Sequence, residues 1–228
     1  MQLSMLEKFC LPPFSVLSGQ AAKDLDLTET EIAHLAPVAK ACPCCGVQQA
    51  QAELCADCLR EPPSFTRTQM AFAYQGAVQE LVKQFKFGKQ RSHGRLMAQL
   101  SADKFDIKGV QALVPVPLHP KRRRERGFNQ AQRLAHYWAK YHALDLLEFS
   151  VMRILETKPQ ATLPREQRLK NVQGAFKLSN TRLAAYQHIA LVDDVMTTGT
   201  TVRALADLIT QHYPNIQVDI WVFARAQS

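Results

Sequence analysis

The sequence predicts an α/β protein with a small cysteine-rich module in front of it. Short apolar runs that fit strands buried on both faces are followed by segments whose apolar residues recur on one helix face. The clearest pair is the run at 189–192 and the segment Thr200–His212, with Val202, Leu205, Leu208 and Ile209 on that face. Five of the six cysteines lie between residues 42 and 58, and this cluster predicts the module.

Length and charge limit the number of domains and the kind of partner that the chain can have. The 228 residues exceed one average domain, and 46% apolar residues suffice for a packed core, so we expect one domain and a small appendage. The net charge of +8 favours an anionic partner, either phosphate or nucleic acid. No apolar stretch is long enough to span a bilayer, and the N-terminus has no signal-like pattern. We therefore expect a cytoplasmic protein.

The cysteine cluster predicts a structural zinc site. Its ligands form two C-x-x-C pairs, Cys42 with Cys45 and Cys55 with Cys58. Two such pairs can converge tetrahedrally on one zinc ion, and their short spacer favours a compact hairpin. Free thiols or redox chemistry are the alternative, which a reducing cytoplasm disfavours. Cys44 is an alternative ligand to Cys45, although the two-residue spacing and Gly46 favour Cys45.

A double proline predicts the end of the module. The segment 61–64 reads Glu-Pro-Pro-Ser, and consecutive prolines stop both helices and sheet pairing. We therefore place the boundary near residue 64, with an N-terminal segment at 1–64 and the main domain at 65–228. Cys10 stands alone in the N-terminal segment and is typical of a buried small apolar residue.

Further strands and helices are predicted along the main domain. A strand is expected at 70–74, a helix at 77–85, a second helix from residue 95, a strand from residue 112 that ends where the prolines begin, and a long helix capped by Asn129. Lys83, Lys86 and Lys89 line the other side or the end of the first helix. Such a stripe is typical of a solvated basic face, with anion contact as the alternative.

The stretch after the strand at 189–192 has the chemistry of a ribose 5-phosphate site. Asp193 and Asp194 are pure hydrogen-bond acceptors, which suit a pair of sugar hydroxyls. The following turn offers helix N-terminal amides, a glycine and threonine hydroxyls to a phosphate, and it comprises Met196, Thr197, Thr198, Gly199 and Thr200. The alternative is a strand capped by a polar turn, which leaves the adjacent aspartates unexplained.

A second candidate anion site follows the strand that starts at residue 112 and ends where the prolines begin. Prolines at 115, 117 and 120 predict a rigid loop, and five of the six residues from 121 to 126 are basic. Arginine forks match phosphate oxygens, so we expect diphosphate or DNA contacts from Pro117, Leu118, Arg122, Arg123 and Arg126. A solvated charge run is the alternative. Aromatic residues make up only 8% of the chain, and the sequence reveals no platform for base stacking.

The acidic pair and its turn resemble the phosphoribosyl diphosphate signature of type I phosphoribosyltransferases. The resemblance implies a parallel sheet flanked by helices, with ligands at the carboxyl ends of the strands. It also implies that Asp193 and Asp194 hold the ribose hydroxyls, that the turn at 196–200 wraps the 5-phosphate, and that the proline loop contacts the diphosphate. Magnesium would accompany phosphoribosyl diphosphate at such a site.

The cysteine module, the proline loop, the Arg-Gly-Phe-Asn-Gln-Ala stretch and the acidic pair together resemble the competence protein F (ComF/GntX) family. The region from Arg153 to Phe176 is similar to that family's connecting hood segment, and here it would add positive charge through Lys158, Arg165, Arg168 and Lys170. The family often has its first C-x-x-C pair near the N-terminus, whereas here about forty residues precede it.

The family resemblance implies a role in natural transformation. Incoming single-stranded DNA would be handled in the cytoplasm and passed to competence helicase or recombination proteins. The second hypothesis is an active phosphoribosyltransferase that uses phosphoribosyl diphosphate with an unidentified nucleophile. No residue pattern identifies a catalytic base, and a fold does not by itself supply an activity.

Overall fold

A computed structural model describes residues 13–38, 40–87, 92–156 and 174–226. Cys10, Lys89 and the four basic hood residues lie outside the described residues. The strands are β1 (Arg67–Ala73), β2 (Ala112–Pro115), β3 (Asp145–Leu146), β4 (Val151–Arg153), β5 (Phe176–Leu178), β6 (His188–Met196) and β7 (Gln217–Arg225). The α-helices are α1 (Glu29–Ala33), α2 (Ala56–Arg60), α3 (Gly76–Phe87), α4 (Ser92–Ser101), α5 (Pro120–Arg126), α6 (Gln130–His142) and α7 (Thr200–His212). Within this described part, no helix combines the length and hydrophobicity of a membrane span.

The central sheet is parallel and has the strand order β1-β7-β6-β2-β3. β4 and β5 form a separate antiparallel pair. The predicted α/β class, with a mostly parallel sheet between helices, is thus confirmed. All strands of the central sheet end at the same edge, so the loops after β2 and β6 meet there.

The sheet separates two cores because successive side chains of a strand point to opposite faces. On β6, Ile189 and Leu191 belong to one cluster, and Ala190 and Val192 belong to the other. Helix α7 and the cysteine module pack on the first face, and α3, α4 and α6 pack on the second. This arrangement explains why the run at 189–192 is apolar without alternation.

The long predicted helix begins as expected. Ala131 donates its backbone N–H to Asn129 Oδ1 at 3.0 Å, so Asn129 caps α6. Asn129 Nδ2 also donates to the carbonyl of Val116 at 2.9 Å. The cap therefore fixes the loop after β2 against the start of α6. Tyr141 of this helix is 53% exposed, and its hydroxyl donates to Asp103.

The arginine run folds into the short helix α5 rather than remaining a loop. Pro120 occupies the first turn, where its missing N–H costs nothing, and Gly127 ends the helix with φ +79°. The His119 ring caps this helix by accepting from the Lys121 amide at 3.4 Å. The helix therefore presents its arginines beside the proline loop.

The cysteine module contacts the sheet directly. The Thr68 amide donates to the Pro43 carbonyl at 3.1 Å. Gly46 has φ +69°, and a Cβ there would lie 2.5 Å from Met70 Cε on β1. A side chain at position 46 would thus both strain the backbone and displace Met70. The division of the chain at residue 64 stays a prediction.

Candidate functional site

The acidic pair lies within β6 and not beyond it. The strand keeps its pairing with β7 through Asp193 opposite Val222 and Met196 opposite Arg225. β6 therefore continues for four residues past its apolar run, because its backbone pairing with β7 extends through the two charged aspartates to Met196. Both aspartates still lie near the carboxyl edge of the sheet.

Asp194 is paired with Lys86 from the helix α3. Its Oδ2 lies 2.9 Å from Lys86 Nζ, and Asp194 is only 6% exposed. Burial acts to lower the pKa of Lys86, but the charge of Asp194 outweighs it, and the pKa of Lys86 is raised. The prediction of a solvated lysine stripe is thus wrong at Lys86, because the end of α3 turns this side chain towards β6.

Asp193 is held in a different electrostatic environment. Burial, together with the neighbouring charge of Asp194, raises the pKa of Asp193 to about 7 despite the opposing charge of Lys86. The backbone N–H of Asp194 donates to Asp193 Oδ1 at 2.9 Å. The carboxyl group of Asp193 therefore titrates near neutral pH, which gives this edge of the sheet a pH-dependent charge.

The predicted phosphate turn has the geometry of a strand-to-helix connection. β6 ends at Met196, Thr197 and Thr198 follow, and Gly199 precedes α7 with φ +75°. The hydroxyls of Thr198 and Thr200 lie 2.9 Å apart. The first amides of an α-helix have no intrahelical partner, so the beginning of α7 has donors of the kind that bind phosphate.

A buried arginine that sequence reasoning missed supports this turn. Arg225, 7% exposed at the end of β7, donates through Nη1 to the Met196 carbonyl at 3.2 Å and to the Thr197 carbonyl. Its Nε donates to the Cys45 carbonyl at 3.4 Å. Burial lowers the pKa of Arg225. One guanidinium thus joins the turn to the cysteine module. In the sequence, the only indication of this role was that a single cation ends an apolar strand.

The proline loop and α5 form one wall of a cavity of about 760 Å³. Of the five residues predicted to contact diphosphate or DNA, Pro117, Leu118 and Arg123 line this cavity. Arg122 and Arg126 are not among its lining residues. Arg126 instead donates to Gln130 Oε1 at 3.2 Å and lies over the Phe87 ring. The structure therefore brings together only part of the predicted contact set.

Another part of the cavity wall comes from the β4 region, where Arg153 and Ile154 belong to the predicted hood segment and the other lining residues precede it. Its lining residues are Phe149, Val151, Met152, Arg153 and Ile154. Burial lowers the pKa of Arg153, the charge of Arg122 lowers it further, and the charge of Asp193 raises it. The cavity wall and the acidic pair thus interact electrostatically.

The four predicted zinc ligands converge. The sulfur atoms of Cys42, Cys45, Cys55 and Cys58 all lie within 4.8 Å of one another. The Cys45 and Cys55 sulfurs are 3.6 Å apart, close to the edge of about 3.8 Å of a tetrahedron with Zn–S bonds of about 2.3 Å. Cys44 lies outside this group, and its Sγ contacts the Phe65 carbonyl at 3.8 Å. The four thiols fit a metal ion such as zinc, and Cys45 rather than Cys44 completes the set.

The fold and site define a class: an α/β protein with a candidate anion site at the carboxyl edge of a parallel sheet and a four-cysteine group that could hold a metal ion. No family model matches the chain. The chain is 30% identical over 194 residues to "Competence protein F" of Haemophilus influenzae, which covers 81% of this chain and 84% of that protein. It therefore belongs to the competence protein F family.

Two further relatives have related names. "DNA utilization protein YhgH" of Salmonella typhimurium is 30% identical, over 81% of this chain and 83% of that protein. "Competence protein ComFC" of Bacillus subtilis is 27% identical, over 72% of this chain and 69% of that protein. The similarity thus covers most of this chain and of its relatives.

Proposed function

We propose that this chain is a competence factor that handles incoming single-stranded DNA in the cytoplasm through its phosphoribosyltransferase-like domain. The names of its relatives, competence protein and DNA utilization protein, support a role in DNA uptake. The net charge of +8 supports an anionic partner, because cations bind nucleic acid by releasing its counterions.

The observation that carries the proposal is the clustering of anion-binding chemistry at one edge of the sheet. The hydroxyl-rich turn follows β6, and the proline loop, α5 and the cavity that they line follow the neighbouring parallel strand β2, so both lie at the same edge of the sheet. In this proposal Thr198 and Thr200 donate to a phosphate, and Asp193 and Asp194 accept from sugar hydroxyls. The arginines of α5 contact further phosphates, on a diphosphate or a DNA backbone.

The cysteine module has a structural role in this proposal. A zinc ion held by the four cysteines would stabilise a segment that contacts β1 and, through Arg225, the turn after β6. The partners proposed for the DNA-bound protein are competence helicase or recombination proteins, which would receive the strand.

The second candidate function is an active phosphoribosyltransferase with phosphoribosyl diphosphate as donor and an unidentified nucleophile. It is favoured by the acidic pair, of which Asp194 is buried against Lys86, because this pair gives the edge carboxylates suited to a ribose and to magnesium. Magnesium, when bound, would neutralise charge that develops on the diphosphate leaving group. No catalytic base is assigned to any described residue.

Ligand protection tests the phosphoribosyl site. Phosphoribosyl diphosphate with magnesium should raise the melting temperature of the wild-type protein, and Asp193→Asn/Asp194→Asn should abolish the shift. The matched control is Asp24→Asn/Asp26→Asn, which removes two carboxylates outside the site. An equal shift in the acidic-pair variant would reject the site assignment.

Complementation separates the two functions. A deletion of the gene should lose DNA uptake, and the wild-type gene should restore it. Restoration by the Asp193→Asn/Asp194→Asn gene would favour a DNA-binding scaffold. Failure of that variant, if it is folded and present at normal levels, would favour a required phosphoribosyl ligand.

A further inference from the structure

The cavity beside α5 has one strongly exposed aromatic side chain in its wall. Phe149 is 56% exposed, and the neighbouring wall residues Met152 and Ile154 are 46% and 49% exposed. These side chains form an apolar surface open to solvent, and such surfaces in a cavity commonly bind ligands. Phe149 is therefore the aromatic ring that this cavity wall offers to a ligand.

The backbone holds Phe149 in an unusual conformation. Its φ is +63°, a region that a residue with a Cβ rarely adopts. Its carbonyl accepts from the Ser179 hydroxyl and from Asn180 Nδ2, the latter at 3.4 Å. The connection after β5 therefore fixes the position from which the ring is presented.

The charged part of the described cavity wall is cationic. Arg123, Arg124 and Arg153 line it, and no carboxylate is among the lining residues that the structure describes. The Arg123 guanidinium lies 6.0 Å from the centroid of the Phe149 ring. A ligand with a flat aromatic face and a negative charge matches this combination, because the ring offers stacking and the arginines offer phosphate contacts.

A second arginine and aromatic pair extends this chemistry along α5. Arg126, one turn after Arg123, lies 5.8 Å from the ring centroid of Phe87, which is 70% exposed. Successive pairs of this kind suit a strand in which bases and phosphates alternate. In a duplex the base faces are covered by stacking, whereas in a single strand they are accessible.

We propose that this cavity is a nucleobase-stacking site for single-stranded DNA, with Phe149 as the platform and Arg123 as the contact to the adjacent phosphate. This inference rests on the proposed function for its choice of DNA as the occupant. It goes beyond that function by assigning base contacts to a wall of the cavity distinct from the predicted phosphate turn. The occupant is a nucleotide unit of a strand, recognised without sequence preference.

Paired oligonucleotides separate base stacking from phosphate contact. The affinity for an oligothymidylate and for an abasic oligonucleotide of equal phosphate number is measured by fluorescence anisotropy at one salt concentration. Phe149→Ala should weaken oligothymidylate binding by about tenfold and leave abasic binding unchanged, because stacking on one aromatic ring is lost. Phe149→Trp should retain wild-type affinity, and Phe14→Ala, at a similarly exposed phenylalanine, serves as the control.

Arg123→Gln supplies the complementary variant. It should weaken both oligonucleotides and reduce the salt dependence by about 0.7 in the log–log slope, the value of one phosphate contact on a single strand. Melting curves check that the variants are folded. Unchanged oligothymidylate binding in folded Phe149→Ala overturns the stacking site while the proposed function stands. Absence of any DNA binding by the wild-type protein overturns both the proposed function and DNA as the occupant of the cavity. Tighter binding of single-stranded RNA than of single-stranded DNA overturns the choice of DNA.

Discussion

The guanidinium of Arg225 donates a hydrogen bond to the carbonyl of Cys45, 3.4 Å away, across 180 residues of sequence. The same side chain donates to the carbonyls of Met196 and Thr197 in the turn after β6. A candidate metal ligand and the candidate phosphate turn therefore share one buried donor.

Arg225→Lys should destabilise the protein. A lysine cannot reproduce the planar fork of donors, so carbonyls around a buried side chain lose their partners, at a cost of about 1–3 kcal/mol. Urea unfolding of both proteins measures this difference. Arg182→Lys, at an exposed arginine, is the control and should unfold like the wild type. Equal unfolding free energies of Arg225→Lys and the control would show that the connection contributes nothing.

Breaking the ion pair between Lys86 and Asp194 should be costly as well. Lys86→Gln leaves a buried carboxylate without its cation, and such a change typically costs about 3–5 kcal/mol. Lys83→Gln, at an exposed lysine on the same helix, should leave the unfolding free energy nearly unchanged. Urea unfolding measures both variants. If they are equally stable, the ion pair does not contribute to stability.

The raised pKa of Asp193 predicts a pH dependence of stability. The folded protein holds this proton up to about pH 7, whereas the unfolded chain releases it near the ordinary value of 3.8. The group therefore contributes stability below the unfolded pKa, and this contribution is lost as the pH rises through the folded pKa.

Asp193→Asn should remove this part of the pH dependence, because the amide has no proton to lose. Unfolding free energies measured from acid to neutral pH should fall more steeply in the wild type than in the variant. Parallel curves would contradict the raised pKa.

Metal analysis tests the cysteine centre. The purified wild-type protein should contain one zinc ion per chain, and Cys55→Ser/Cys58→Ser should lose it because half of the thiolates are removed. Cys44→Ser is the matched control, since Cys44 lies in the same module but outside the sulfur group. Loss of zinc from Cys44→Ser, or its retention in the double variant, would reject the four-cysteine assignment.

Local patterns predicted the parts of the molecule that local chemistry determines. Cysteine spacing identified the sulfur group, and the cap at Asn129 and the helix from Thr200 follow from hydrogen bonding and periodicity within a few residues. The resemblance to a known family added the parallel order of the sheet, which periodicity alone does not determine.

Long-range contacts account for what the sequence did not reveal. Lys86 looked like part of a solvated stripe because its partner Asp194 lies on a strand far along the chain. Arg225 and Phe149 acquire their positions from the sheet and from the β4 and β5 pair, and neither lies in a motif. The roles of the acidic pair and of the turn as phosphoribosyl contacts stay predictions.

The most direct test of the proposed function is a binding curve for single-stranded DNA across salt concentrations, with and without phosphoribosyl diphosphate and magnesium. We expect affinity to fall linearly with salt on a log–log plot, with a slope of about −0.7 per phosphate contact. We also expect phosphoribosyl diphosphate to weaken DNA binding in the wild type but not in Asp193→Asn/Asp194→Asn. Absent or salt-independent DNA binding, or binding that phosphoribosyl diphosphate leaves unchanged in the wild type, would contradict a shared anion site at this edge of the sheet.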